Sequence, residues 1–161
     1  HLDVRPMKDK IHSGTPFYRL LHQFPDKFDF LELGIQSQCN SQTHYDWVEE
    51  HGGKILTYDE LIMSGEGHLR KILSFLEPYI LKKRPTFLSI DIDAFSSQFA
   101  PGASQSFATG FEPNTILPLI DILKKRLDIR GLGIYEVSPA LDQDDKTSKL
   151  AALLIHKFLF S

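Results

Sequence analysis

The chain has little cysteine, no long apolar run and no strongly basic region, and each shortage excludes a class of protein. Among its 161 residues Cys39 is the single cysteine, so no intrachain disulfide can form, as is typical of a reducing compartment. No apolar stretch approaches the roughly 18 residues of a membrane span. The one short basic run, residues 81–84, favours a helix end over a nucleic-acid surface. We therefore expect a cytoplasmic protein without a membrane or nucleic-acid partner.

The composition that remains is that of a globular protein. Hydrophobic residues make up 42% of the chain, charged residues 24%, and the formal net charge is −3. A chain of this length can bury an ordinary core, so we predict one domain over residues 1–161.

Short apolar runs alternate with helical patterns, which predicts βαβ units and a parallel sheet. Strands are predicted at 28–35, 54–58, 86–92 and 129–137, and helices at 43–51, 59–62, 67–83, 113–127 and 146–160. Thr43 is the predicted N-cap of the first helix, and Pro118 should bend or tighten the helix that contains it. Residues 94–112 read as a long loop, which inside a compact domain is usually functional.

Two aspartates end the most apolar of these strands. Alternate strand residues point the same way, so Asp91 and Asp93 should face one place at the sheet edge where α/β proteins bind ligands. Adjacent carboxylates repel unless a cation or a shared proton separates them. The pair therefore indicates a site for a hard metal ion, or else a polar strand end that caps the following segment.

The chain opens with a second pair, His1 and Asp3, two residues apart on one side of a segment predicted to be extended. An imidazole combined with three carboxylates suits Mn, Zn or Fe, and the excess of oxygen favours Mn. The alternative is a solvated chain end or the remnant of a purification tag.

Five motifs resemble, in order and spacing, those of the arginase-like ureohydrolase superfamily. They are HLD at 1–3, SGTPF at 13–17, SIDID at 89–93, APG at 100–102 and YEVSP at 135–139. The family shows a D-A-H-x-D and an S-x-D-I-D strand end. Because APG is followed here by x-S, the chain looks most like the formimidoylglutamase branch. The resemblance implies a three-layer α/β/α fold with a mostly parallel sheet.

The resemblance also implies a reaction. It is the Mn-dependent hydrolysis of a linear amidine C–N bond, foremost of N-formimidoyl-L-glutamate to L-glutamate and formamide in histidine degradation. Two Mn²⁺ ions bridged by hydroxide are implied for each complete site, in a homo-oligomer. The implied metal ligands are His1, Asp3, Asp91 and Asp93.

Other residues receive roles from the same resemblance. Asp3, His12 and Glu136 are the catalytic candidates, and the substrate-binding candidates are Arg5, Ser13, Arg19 and Glu136. Several of these residues also have a purely structural interpretation or a departure from the family pattern. Glu136 can be a solvated strand end, the two arginines can form surface salt bridges, and His12 lies one position before the histidine of related enzymes.

One departure from the pattern is large. The D-A-H-x-D motif would begin two residues before His1, and a further metal-binding histidine would lie upstream. We therefore expect the chain to correspond to the C-terminal half of a family member, with four of six ligands.

The remaining alternatives are another ureohydrolase, such as an agmatinase, arginase or guanidino-acid hydrolase, and a non-catalytic module that kept the fold. A phosphatase-type acidic site also uses D-x-D, but it needs a nucleophilic aspartate and a downstream lysine that the pattern does not offer.

Overall fold

A computed structural model describes residues 1–6 and 10–161 of the chain. These residues form two compact units, His1–Gly65 and Glu66–Ser161. Each unit contains one pair of parallel strands with helices, and the prediction of a single domain stays a prediction.

The first unit is built around a small parallel sheet. Strands β1 (Leu31–Ile35) and β2 (Lys54–Thr57) pair in parallel, and the helices are α1 (Pro16–Gln23), α2 (Gln42–Glu50) and α3 (Tyr58–Met63). Its core includes the fully buried side chains of Leu2, Val4 and Val48. Each such side chain stabilises the fold by roughly 1.5–3 kcal/mol relative to an exposed position, so the opening residues of the chain are anchored by packing.

Local sequence explains where the helices of this unit begin and end. Helix α2 starts after Ser41, so the prediction that Thr43 is its N-cap was wrong, since Thr43 lies inside the helix. Gly52 adopts φ +80° just beyond the helix, a left-handed conformation that glycine adopts without steric cost. Helix α3 begins with a capping box, in which the Thr57 side chain accepts from the Glu60 N–H and the Glu60 carboxylate accepts from the Thr57 N–H.

Aromatic stacking joins α1 to α2. The rings of His22, Tyr18, Trp47 and His51 form a ladder with successive centroid distances of 5.9, 4.8 and 3.8 Å. Stacked pairs of this kind add about 0.5–1.5 kcal/mol beyond the burial of their area. The ladder therefore holds the two helices together next to the core.

The second unit repeats the α/β plan. Strands β3 (Pro85–Asp91) and β4 (Asp128–Tyr135) pair in parallel, and the helices are α4 (His68–Ile80), α5 (Pro113–Arg126) and α6 (Lys146–Phe160). Helices α5 and α6 pack on each other and on β4. The register sets Asp91 opposite Tyr135, so both strands end at the same edge.

The long loop predicted between β3 and α5 is confirmed and is closed at its base. The Ser96 N–H donates to the Phe111 carbonyl at 3.1 Å, and the Phe111 N–H donates to the Ala94 carbonyl at 2.8 Å. Inside the loop, the Ser96 hydroxyl donates to the Ala108 carbonyl at 2.8 Å. Gly110 has φ +153°, and a Cβ there would lie 2.6 Å from the Ser96 nitrogen, so the closure requires glycine.

Three prolines lie in the helices of this unit, one at a helix start and two in helix interiors. Pro113 occupies the first turn of α5, where its missing N–H costs nothing. The chain remains helical through Pro118 and also through Pro78 of α4. Over the described residues, no helix has both the length and the apolar character that crossing a bilayer requires.

Candidate active site

The first candidate segment, His1–Leu2–Asp3, is anchored but is not a strand. Leu2 is fully buried and its N–H donates to the Asn40 side-chain oxygen at 2.9 Å. His1 and Asp3 are half-buried, on either side of Leu2. Asp3 adopts φ +49°, the left-handed region that is costly for a non-glycine residue. The prediction of an extended segment was therefore wrong at Asp3, and its side-chain direction is set by this backbone conformation.

Arg5 lies against the candidate ligand Asp3. Its guanidinium nitrogen is 3.8 Å from an Asp3 carboxylate oxygen, and its backbone N–H donates to the Gly14 carbonyl at 2.8 Å. A Cβ added at Gly14 would lie 2.1 Å from Arg5 Nε. The glycine of the SGTPF motif thus gives the arginine room to lie over the backbone.

His12 and Ser13 belong to a tight turn that Thr15 organises. Thr15 is 1% exposed, and its hydroxyl donates to the His12 carbonyl at 2.8 Å. The Gly14 N–H donates to His12 Nδ1 at 3.2 Å, so the neutral imidazole carries its proton on Nε2. The side chains of His12 and Ser13 are exposed.

Arg19 lies one turn into α1 and is exposed. Its backbone N–H donates to the Thr15 carbonyl at 3.1 Å, which places it beside the same turn. A role for its guanidinium in substrate binding stays a prediction.

The second candidate segment, Asp91–Ile92–Asp93, stands at the carboxyl end of β3. Asp91 is the last strand residue, and residues 92–94 form a single 3₁₀ turn rather than the continued strand that we predicted. Ile92 is fully buried, which holds the turn down, and Asp93 is 6% exposed. The Asp93 N–H lies 3.4 Å from Asp91 Oδ1, so the first aspartate caps the turn that carries the second.

Electrostatics make this acidic pair costly without a counter-charge. Burial, together with the neighbouring charge of Asp93 and a smaller effect of Glu136, raises the pKa of Asp91 to about 7. A divalent cation beside Asp91 and Asp93 would offset the repulsion that disfavours the ionisation of both carboxylates.

Glu136 follows β4 directly and belongs to the same edge of the second unit. The strand ends at Tyr135, earlier than predicted, because Glu136 turns the chain with φ +60°. Its side chain is exposed, and Glu136 Oε2 accepts a hydrogen bond of 3.1 Å from the Ser104 hydroxyl. The structure thus brings Asp91, Asp93 and Glu136 to one sheet edge.

A network of hydrogen bonds that no sequence pattern predicted holds this edge in place. The Gly102 carbonyl accepts from the Ser138 N–H at 2.7 Å, and the Gly102 N–H donates to the buried Thr147 hydroxyl at 2.7 Å. The Asp142 carboxylate in turn accepts from the backbone N–H groups of Thr147 and Ser148 at 3.0 and 2.9 Å. We call this network the Gly102 clamp. The pattern APG marked its centre, but its partners lie about 40 residues away in sequence.

The aspartates that precede α6 differ in what they do. Asp142 bonds the first turn of α6 directly. Asp144 and Asp145 instead take left-handed backbone conformations before the helix.

The side chains at this edge match part of a divalent-metal site. Over the residues that the structure describes, neither unit by itself brings three His, Cys, Asp or Glu side chains close enough together to hold an ion. The Asp91 and Asp93 carboxylates are oxygen donors of the kind that Mn²⁺ accepts. Their burial and mutual repulsion fit a cation at this edge, so the residues present fit part of a metal site.

Parallel strands, one of which ends in a half-buried and a buried aspartate, define the chain as an α/β protein with an acidic site at a sheet edge. The family follows from comparison with known proteins. The chain belongs to the arginase family, whose sequence model matches residues 1–161. The fold is the arginase α/β fold with parallel strands, as predicted.

Two kinds of relative carry this likeness. The formimidoylglutamase of Staphylococcus carnosus is 31% identical over 159 residues, which is 99% of this chain and 50% of that protein. The crystal structure of Bacillus subtilis formimidoylglutamase is 28% identical with a TM-score of 0.87, over 98% of this chain and 49% of that one. Trypanosoma cruzi formiminoglutamase, crystallised with Mn²⁺, is 25% identical with a TM-score of 0.83, over 98% and 52% of the two chains. The chain thus spans about half the length of the relatives that it matches.

Proposed function

We propose that the natural gene product containing this chain is a manganese-dependent hydrolase that cleaves N-formimidoyl-L-glutamate to L-glutamate and formamide. The observation that carries the proposal is the acidic edge Asp91, Asp93 and Glu136 in a member of the arginase family. Relatives named formimidoylglutamase support the substrate, and the Mn²⁺ bound by the Trypanosoma cruzi relative supports the metal.

Four side chains are the proposed metal ligands. Asp3, Asp91 and Asp93 supply carboxylate oxygens, and His1 supplies an imidazole nitrogen. Two manganese ions, when bound, supply positive charge that lowers the pKa of a water molecule and so gives a nucleophile at neutral pH.

The proposed chemistry needs a proton acceptor and donor beside the reacting carbon. Asp3 takes a proton from the attacking water and passes it to the nitrogen that departs. The C–N bond breaks as the second proton of that water also reaches the amine, so formamide leaves neutral and glutamate leaves with an ammonium group. His12 is the proposed shuttle that exchanges protons between the site and solvent.

Substrate recognition in this proposal separates the two ends of the molecule. The Glu136 carboxylate faces the amidinium group, a charge-assisted contact between planar partners. Arg5 and Arg19, with the Ser13 hydroxyl, bind the two carboxylates of the glutamate portion, because a guanidinium matches carboxylate geometry. The loop of residues 94–110 frames the opening and so decides which amidine enters.

A cheap assay separates the candidate functions. The purified natural gene product is loaded with Mn²⁺ and given formimidoylglutamate, arginine and agmatine in parallel. We expect turnover of formimidoylglutamate well above the other two. Preference for agmatine or arginine would move the protein to another ureohydrolase activity, and the absence of any turnover together with the absence of bound metal would indicate a non-catalytic module.

We further propose that the protein acts in the cytoplasm as a homo-oligomer, on a small-molecule substrate and without a nucleic-acid partner. Size-exclusion chromatography with light scattering tests the oligomeric state, and a monomer would contradict it.

A further inference from the structure

We infer that Ser104 is a positioning residue, whose hydroxyl holds the Glu136 carboxylate in the orientation that receives the amidine group. The inference rests on the proposed function. It extends that function to a residue that lies outside the set of metal and substrate contacts.

The contact itself is direct and long-range in sequence. The Ser104 hydroxyl donates to Glu136 Oε2 at 3.1 Å across 32 residues of chain. Glu136 is exposed, and a long exposed side chain samples several rotamers unless a partner selects one. A carboxylate oxygen has two lone pairs, so the oxygen that accepts from Ser104 can still accept from substrate.

Both ends of this hydrogen bond are fixed by the Gly102 clamp. Ser104 follows Gly102 by two residues, and Glu136 precedes Ser138, the other backbone partner of the clamp, by two residues. Thr147, which receives the Gly102 N–H, is fully buried. A Cβ at Gly102 would lie 2.7 Å from Asp142 Cβ, so the loop approaches the start of α6 as closely as a backbone can.

The backbone at Glu136 adds a second constraint. Its φ of +60° is unfavourable for a non-glycine residue and turns the chain sharply after β4. A residue held in such a conformation is maintained by its surroundings, and the Ser138–Gly102 hydrogen bond lies immediately after it. The main chain is therefore fixed on both sides, and the Ser104 hydroxyl supplies the remaining control over the carboxylate plane.

The plane of the carboxylate matters for the proposed contact. A planar amidinium makes two parallel hydrogen bonds to a carboxylate only when the two planes align. A carboxylate free to rotate forms this pair less often, so the loss of Ser104 should weaken substrate binding in the transition state more than it weakens folding.

A double-mutant cycle tests the inference in the Mn²⁺-loaded natural gene product. We expect Ser104→Ala to lower kcat/KM for formimidoylglutamate by about tenfold, as for one lost hydrogen bond to a charged group, and Ser104→Thr to restore most of it. In a Glu136→Ala background, Ser104→Ala should produce no further loss. Ser74→Ala, at an exposed position of α4, is the matched control and should leave kcat/KM unchanged.

The opposite results are equally clear. Full activity of Ser104→Ala would overturn the inference, and so would an equal loss in the presence and absence of the Glu136 carboxylate. Crystal structures of the unmodified and Ser104→Ala proteins give a readout independent of turnover. A displaced Glu136 carboxylate supports the positioning role, and an unmoved one refutes it. If the unmodified protein leaves formimidoylglutamate intact while the carboxylate still moves, the proposed substrate fails and the positioning contact stands.

Discussion

The two units hold their acidic motifs in different ways. In the second unit, Asp91 and Asp93 stand at the end of a paired strand and a buried turn, so regular structure sets their direction. In the first unit, Asp3 has a left-handed backbone between the buried side chains of Leu2 and Val4. One pair is thus positioned by hydrogen-bonded strand geometry and the other by side-chain packing with local strain. Strand periodicity therefore explains the placement of Asp91 and Asp93 but not that of Asp3.

The largest expected effect is the loss of metal and activity when a proposed metal ligand is replaced. Replacement of Asp91, Asp93 or Asp3 by asparagine in the natural gene product should lower kcat/KM by at least about 100-fold. Mutation of a residue that only hydrogen-bonds to a metal ligand often lowers activity by roughly 10- to 100-fold, and loss of a ligand itself should cost more. The bound manganese, measured by inductively coupled plasma mass spectrometry, should fall in parallel.

Asp128→Asn is the control for these variants, because Asp128 lies at the start of β4 and pairs with Arg130 at 2.7 Å. Its activity and metal content should stay unchanged. If Asp3→Asn kept its full metal content and activity, Asp3 would not be a metal ligand. The metal would then depend on Asp91 and Asp93 without it.

A second prediction concerns the 161-residue chain alone. The chain spans about half the length of the relatives that it matches, so we expect calorimetric titration with Mn²⁺ to show fewer than two tight sites. Two sub-micromolar sites would contradict the expected ligand set.

Gly14→Ala tests the packing of Arg5 beside Asp3 in the first unit. A Cβ at this position would lie 2.1 Å from Arg5 Nε, so the guanidinium must move away from its place 3.8 Å from Asp3. If Arg5 binds a substrate carboxylate, KM for formimidoylglutamate should rise by about tenfold or more with a smaller change in kcat.

Gly67→Ala is the matched control, because no atom lies within 4 Å of a Cβ at that position. An unchanged KM in Gly14→Ala would remove Arg5 from the proposed substrate contacts.

Thr147→Val tests the Gly102 clamp of the second unit. This change removes the hydroxyl that accepts the Gly102 N–H at 2.7 Å in a fully buried position. An orphaned buried donor costs about 1–3 kcal/mol, so the free energy of unfolding in urea should fall by that amount. Thr147→Ser keeps the acceptor and should lose less, and equal losses in both variants would assign the effect to packing instead.

The smallest expected effect is a pH dependence at Asp142. Partial burial alone would raise the pKa of this carboxyl, but hydrogen bonds from Thr147 and Ser148 outweigh it and hold the pKa well below its usual range. A depressed carboxyl pKa stabilises the fold above the unfolded pKa, and this stabilisation is lost as the pH falls through the folded pKa.

The difference in unfolding free energy between the unmodified protein and Asp142→Asn should therefore be constant from about pH 5 to 8 and should shrink below about pH 4. Asp144→Asn is the matched control. A difference that stays constant down to about pH 2 would show that the charge of Asp142 does not matter.

Much of this structure could be predicted from the sequence where regular patterns decide it. The limits of α6, Lys146–Phe160, follow from its apolar spacing, and the ends of β3 and β4 follow to within about two residues. The acidic pair at the end of β3 was predicted because strand alternation and the topology of parallel sheets act together.

The rest depended on contacts that no local pattern encodes. The left-handed backbone of Asp3 and Glu136 is imposed by surrounding structure, so an argument from extended geometry missed it. The partners of Gly102 lie at Ser138 and Thr147, and sequence spacing gave no means to pair them. Thr43 looked like an N-cap by residue type, but the helix begins one residue before it, after Ser41.

Anomalous diffraction at the manganese edge, on crystals of the natural gene product, tests the central claim most directly. We expect two manganese peaks whose ligands include His1, Asp3, Asp91 and Asp93. Manganese peaks elsewhere, or an opening His–Leu–Asp segment outside coordination distance of the same ions, would contradict it.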